Sequence, residues 1–142
     1  MIRPRKSGSL PIGLAMLLLT PLGVFAQTTV TLSPTASPSA GQAGVTVVSV
    51  LGSGFPSGII PAASVSVSLQ AATAGAGPSG TATATVVTTI IGTTRRVTFQ
   101  IPQSIGVAAP TPYRVSIGGS TSTGITFASG NSAALTVNPP AS

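Results

Sequence analysis

Arg95, Arg96, Tyr113 and Arg114 are the ionisable side chains that follow residue 26, and the chain contains no Asp, Glu, His or Cys. General acid–base catalysis depends mainly on His, carboxylates, Lys and Cys, and of its usual side chains only Tyr113 remains in this region. A Ser or Thr nucleophile lacks the neighbouring base that would activate it. Zinc sites use Cys, His or carboxylates, and calcium sites normally include carboxylate oxygens. We therefore predict a protein that is not an enzyme and that holds no cofactor and no metal.

The same side chains are the candidates for ligand binding. An exposed tyrosine ring offers a sugar an apolar face and a hydroxyl group. The alternation of Tyr113 with Val115 and Ile117 favours instead a tyrosine at the edge of a β-sandwich core. Guanidinium groups suit an anionic glycan, but solvated positions on a sheet face are the simpler expectation for these arginines. The candidate contacts for a ligand or surface are Tyr113, Arg95, Arg96 and Arg114.

The formal net charge of +6 does not indicate a nucleic-acid-binding protein. Arg3, Arg5 and Lys6 precede a long apolar run, so three of the six cations lie in front of it and three behind it. Binding to nucleic acid needs a dense basic patch that neutralises several phosphates. We therefore predict no nucleic-acid partner.

The first residues have the three parts of an export signal. Cations come first, residues 10–24 are mainly apolar, and Val-Phe-Ala precedes Gln27. We predict a signal peptide over residues 1–26 and a product that is secreted or held at the cell surface, with the periplasm as a further location. A retained membrane anchor is the alternative, although prolines and glycines interrupt the apolar run. After cleavage, no membrane association is expected.

Short runs of β-branched and hydroxyl residues follow, separated by Gly and Pro clusters, which is typical of an all-β fold. Residues 64–69 alternate Ser with Val, Val and Leu, so one apolar row should face a core. Val97, Phe99 and Ile101 should point inward in the same way. We predict an antiparallel immunoglobulin-like β-sandwich of about seven or eight strands.

The domain boundaries follow from these runs. Residues 27–42 are interpreted as an N-terminal strand and a Pro/Ser-rich linker or edge crossing, and residues 43–142 as the sandwich domain. Residues 81–91 are predicted to form one strand with four apolar side chains on one face. These are Ala82, Ala84, Val86 and Ile90.

Three segments resemble the IPT/TIG family of immunoglobulin-like domains in bacterial secreted and surface proteins. Residues 49–55, Ser-Val-Leu-Gly-Ser-Gly-Phe, are similar to that family's strand and Gly-x-Gly-Phe turn. Residues 97–102 resemble its strand ending in Pro, and residues 113–117 with 134–137 resemble its closing pair. The resemblance implies the E-set type of sandwich. Such domains usually occur in series, whereas we expect a single one in this sequence, and the fold hosts many functions.

These observations predict a structural or adhesive module of the bacterial cell exterior that assembles with itself by edge-strand pairing. Uncharged sheet edges are open to another strand. A monomeric carbohydrate-binding module is the alternative, with a surface glycan as partner. The candidate exchanged strand comprises Thr28, Thr29, Val30, Thr31 and Leu32.

Overall fold

A computed structural model describes residues 27–140 of this chain, and these residues form an all-β, sandwich-like fold. The predicted signal peptide, residues 1–26, lies outside the described residues. The strands are β1 (Thr28–Leu32), β2 (Thr35–Gln42), β3 (Val47–Ser53), β4 (Ser66–Ala71), β5 (Gly80–Thr83), β6 (Val86–Ile91), β7 (Thr94–Gln100), β8 (Thr111–Ser120), β9 (Thr126–Ser129) and β10 (Ala133–Asn138). Single 3₁₀ turns lie at Ala62–Ser64 and Gln103–Ile105.

The first group of strands, sheet I, is built around the long strand β8. On one side β8 pairs antiparallel with β4, and β4 pairs in turn with β5. On the other side β8 pairs with β10 along its first half and with β9 along its second half. β8 has two partners on this side because β9 and β10 pair with successive segments of it.

The second group, sheet II, has the order β6–β7–β3. Strands β1 and β2 connect the two sheets. β1 pairs in parallel with β9 and then, through Thr31 and Leu32, antiparallel with β3. β2 pairs with β3 at Ser37 and in parallel with β10. The sheets are therefore mixed, which corrects the prediction of a wholly antiparallel sandwich.

One hydrophobic core joins the inward rows of both sheets. The predicted inward positions of β4 are confirmed, because Val65, Val67 and Leu69 are buried while Ser66 and Ser68 are exposed. The inward row of β7 contributes Val97, Phe99 and Ile101, again as predicted. Phe55 from the turn after β3 covers the core and packs edge-on against Phe127, with ring centroids 5.3 Å apart.

The structure has ten strands among its described residues, more than the seven or eight predicted. One addition is β2, which occupies most of the predicted Pro/Ser-rich linker or edge crossing. Pro38 of β2 does not prevent pairing, because β2 pairs with β3 at one residue pair only and changes register against β10. The first strand, β1, lies as predicted over Thr28–Leu32.

The other addition comes from residues 81–91, which form two strands instead of one. β5 pairs with β4 in sheet I, whereas β6 pairs with β7 in sheet II. The chain crosses between the sheets at Ala84 and Thr85, and Ala84 is buried there. The prediction that Ala82, Ala84, Val86 and Ile90 share one face is wrong, because the crossing shifts the alternation: Ala84 is buried, whereas Val86 and Ile90 are 50% and 43% exposed.

Candidate functional site

Strand β6 is the outermost strand of sheet II and is open along one side within the described part of the chain. Its sequence is Val-Val-Thr-Thr-Ile-Ile, and five of its six residues are exposed. Ile91 is 74% exposed. Natural edge strands are usually protected by Lys, Pro, inward charges or bulges. β6 has no Pro and no charge, and its one irregularity is a register shift against β7 between Thr89 and Ile91.

The β-branched composition of β6 explains why it is a strand although it buries little surface. Val87 lies opposite Val97 and packs partly against the core, which aligns β6 on β7. Val86 and Thr88 lie opposite Thr98 and Arg96, on the outer face. Since most of β6 remains exposed, the strand has the pattern of a segment that another strand can cover.

The outer face of sheet II holds a cleft of about 380 Å³ beside Arg96. Residues opposite each other on neighbouring strands share a face, so Ser37, Ser49 and Thr98 form one row across β2, β3 and β7. Leu51 and Arg96 form the next row. We call this the Arg96 cleft, and its lining residues are Ser33, Thr35, Ser37, Ser49, Leu51 and Arg96.

A second cleft of about 330 Å³ adjoins the Arg96 cleft and shares Ser33 and Leu51 with it. Thr31, Ser53 and Thr94 contribute further hydroxyl groups to its lining. The outer face at this end of sheet II is therefore rich in hydroxyls and carries one exposed cation. Sequence reasoning identified Arg96 but missed the serines, because their convergence depends on the pairing of β2 with β3.

Arg95 was a candidate surface contact, and the structure places it elsewhere. It belongs to the inward row of β7 and is 9% exposed. Its Nη2 donates hydrogen bonds to the carbonyl oxygens of Pro56, over 3.1 Å, and Gly58, over 2.8 Å. Its Nε is buried and has no hydrogen-bond partner among the described residues. Arg95 therefore holds the loop after β3 and does not share a surface with Arg96.

Tyr113 is also buried, with 1% of its surface exposed. Its hydroxyl donates a hydrogen bond to the carbonyl oxygen of Pro78 over 2.8 Å. Burial raises the pKa of this phenol above its ordinary value. The structure therefore favours the tyrosine of a core edge over the sugar-stacking platform, because neither face of the ring is free for a ligand.

Arg114 is exposed, but it lies on sheet I, where it is paired with Gln70 of β4 and Ala134 of β10. It contributes to a shallow cleft of about 300 Å³ beside the loop of residues 71–79. The three arginines of the described chain are thus distributed over a core position, the outer face of sheet II and sheet I. The structure does not bring them together into one anion site.

The candidate exchanged strand, β1, is paired within its own chain. Val30 and Leu32 are 0% and 2% exposed. The amide side chain of Asn131 accepts a hydrogen bond from the Leu32 nitrogen over 2.7 Å and donates one to the Leu32 oxygen over 2.9 Å. β1 is therefore a well-anchored core strand in the single chain, and its exchange between chains stays a prediction.

Neither the scan against protein-family models nor the search of curated proteins gives a match to this chain. Between residues 27 and 140, no helix has the length and apolar character needed to cross a membrane. Functional inference for this chain therefore depends on its own surfaces, of which the β6 edge and the Arg96 cleft are the most distinctive.

Proposed function

We propose that this chain is a secreted, non-enzymatic structural or adhesive module of the bacterial cell exterior, of the immunoglobulin-like IPT/TIG type, which assembles with copies of itself through strand β6. The observation that carries the proposal is the open, uncharged edge of β6, with five of its six residues exposed. The leader predicted over residues 1–26 supports export, and the absence of Asp, Glu, His and Cys supports a role without catalysis.

A second copy of the same chain is the partner that fits this edge. Two identical strands pair antiparallel about a two-fold axis, so the contact is self-complementary and closes as a dimer. Because β6 carries no charge, the approach of two copies causes no local repulsion on the strand. The exposed Val86, Ile90 and Ile91 side chains would be covered by such pairing.

The open edge of sheet I, at β5, adjoins the β6 edge, because only Ala84 and Thr85 separate the two strands. β5 pairs only with β4 among the described strands, and it has four residues, two of them exposed threonines. A contact between two copies that used both edges would cover β5 together with β6. The shorter β5 edge makes the weaker contact, since fewer backbone groups pair along it.

Sedimentation velocity and electron microscopy of the protein, purified from an exporting host, test the proposal. We expect dimers or filaments whose share increases with concentration. Thr88→Lys places a charge in the middle of the exposed strand and should leave the protein folded and monomeric. Ser68→Lys is the matched control, because Ser68 is an exposed residue of β4, which already has a partner on each side.

A wild-type protein that stays monomeric at all concentrations would overturn the assembly proposal. Equal assembly of wild type and Thr88→Lys would assign the contact to another edge. A monomer that retains glycans would favour the carbohydrate-binding alternative.

A further inference from the structure

We propose that the Arg96 cleft binds an acidic saccharide, with the Arg96 guanidinium on the anionic group of the sugar and the surrounding side chains on its hydroxyls. The ligand class follows from three features of the cleft: an uncompensated cation, a set of hydroxyl groups and one apolar side chain. The residues that supply these features lie on strands β2, β3 and β7, except for Ser33, which lies between β1 and β2.

The first feature is the charge of Arg96. The chain contains no Asp or Glu, so no side chain of this protein can pair with the guanidinium. Arg95, on the inner face next to it in sequence, also lacks an acidic partner and adds to the positive potential of this region. A guanidinium binds a carboxylate or sulfate through two parallel hydrogen bonds, which favours an anionic ligand with planar or tetrahedral oxygens.

The second feature is the set of hydroxyl groups. Ser33, Thr35, Ser37 and Ser49 line the cleft. A hydroxyl both donates and accepts hydrogen bonds, so these side chains can match sugar hydroxyls in either role. Strand pairing fixes their spacing, since Ser37 lies opposite Ser49 and Ser49 opposite Thr98. The backbone therefore holds this polar surface in place before a ligand arrives.

The third feature is Leu51, which is half-buried beside Arg96. Its side chain gives the C–H face of a sugar ring an apolar contact, the role that aromatic rings have in other saccharide sites. The adjoining cleft shares Ser33 and Leu51 and continues the hydroxyl lining toward Thr31 and Thr94. The two volumes, about 380 and 330 Å³, lie at the lower end of the range for ligand sites, which suits a short stretch of a sugar chain.

This inference does not depend on assembly through β6, because the cleft lies on the outer face of the sheet and the proposed contact on its edge. Arg96→Gln should leave the sedimentation behaviour of the protein unchanged. Failure of one proposal is therefore distinguishable from failure of the other.

Isothermal titration calorimetry with trigalacturonate tests the proposal on the intact protein. We expect binding that weakens about tenfold or more in Arg96→Gln, the effect of losing roughly 1.4 kcal/mol from one charged contact. Arg114→Gln is the matched control, since Arg114 is also an exposed arginine but lies on the other sheet. It should change the affinity by less than about twofold. Thermal melts of both variants check that they are folded.

Two further ligands define the chemistry. Fully methyl-esterified trigalacturonate keeps the sugar and removes the charge, and it should bind far more weakly. A sulfated carrageenan oligomer carries sulfate in place of carboxylate. Tighter binding of either acidic oligomer than of the ester supports the proposal, and the acid that binds more tightly identifies the preferred anion. The proposal would be overturned if the methyl ester bound as tightly as trigalacturonate, or if Arg96→Gln and Arg114→Gln lost affinity equally. It would also be overturned if neither acidic oligomer bound at millimolar concentration.

Discussion

The Nη2 nitrogen of Arg95 donates a hydrogen bond to the carbonyl oxygen of Gly58 over 2.8 Å, and the same nitrogen also reaches the oxygen of Pro56. A side chain of β7 thereby fastens the loop that follows β3. Because the chain contains no Asp or Glu, backbone carbonyl dipoles take the place of a counter-ion. The loop after β3 is thus held by a buried arginine that the sequence analysis placed on the surface.

Replacing Arg95 should therefore destabilise the fold. We expect Arg95→Ala to lower the free energy of unfolding by about 2 kcal/mol, since hydrogen bonds from charged groups and the packing of the aliphatic stem are lost while the cost of the buried charge is relieved. Arg114→Ala, on the exposed side of sheet I, should change it by less than about 0.5 kcal/mol. Urea titrations measure both, and equal midpoints would contradict the role of Arg95.

Tyr113→Phe removes one hydroxyl without changing the packing of the ring. We expect a loss of about 1 kcal/mol, because the carbonyl oxygen of Pro78 loses its donor. Amide hydrogen exchange should accelerate in residues 72–79, which the hydroxyl connects to β8. Unchanged exchange in this loop would show that other contacts hold it.

The dependence of stability on pH should be nearly flat between about pH 4 and 9, because no Asp, Glu or His titrates there. Burial raises the pKa of Tyr113 above its ordinary value of 10.0. Above that value the unfolded chain loses the phenol proton more readily than the folded protein, so stability should decrease as the pH rises further. Melting temperatures measured from about pH 4 to above pH 10 test both expectations. Tyr113→Phe should reduce the loss of stability at alkaline pH. A large decrease between pH 4 and 9 would contradict the first expectation.

The neighbouring glycines of β8 should differ in their tolerance of a side chain. A Cβ at Gly119 would meet the Ser64 backbone oxygen at a forbidden distance and the Val65 Cα at 3.1 Å. At Gly118 the nearest atom would be the Phe127 oxygen, at 3.5 Å, an ordinary contact. We expect Gly119→Ala to cost about 2 kcal/mol of stability and Gly118→Ala less than about 1 kcal/mol. Chemical denaturation measures the difference, and equal costs would mean that the segment at Ser64 moves freely.

Removal of β1 tests whether this strand can be exchanged between chains. Because Val30 and Leu32 are buried, a chain lacking residues 28–32 should lose its cooperative unfolding transition. A synthetic peptide of residues 27–34 should restore the transition if the vacated position accepts a strand from another molecule. A truncated chain that folds without the peptide, or that never folds with it, would remove β1 from consideration as an exchanged strand.

Local patterns in the sequence predicted the strands that have one solvent-exposed face and one buried face. The alternation in β4 identified its inward side chains, and the phase of Tyr113 with Val115 and Ile117 indicated the buried ring. The same method failed for Val86 and Ile90, because a run of β-branched residues contains no signal for the crossing at Ala84 and Thr85. The method also failed for Arg95. The alternation of β7 places this residue in the inward row, but its charge led to the prediction of a surface position.

The composition by itself determined that this chain lacks the acids, imidazoles and thiols of common catalytic and metal sites, and that its core consists largely of aliphatic strands. Only the tertiary structure decided which strand is left at the edge and which hydroxyls meet beside Arg96. The reason is that alternation is a property of neighbours in sequence, whereas an edge and a cleft depend on pairings between distant segments, such as β2 with β3 and β6 with β7.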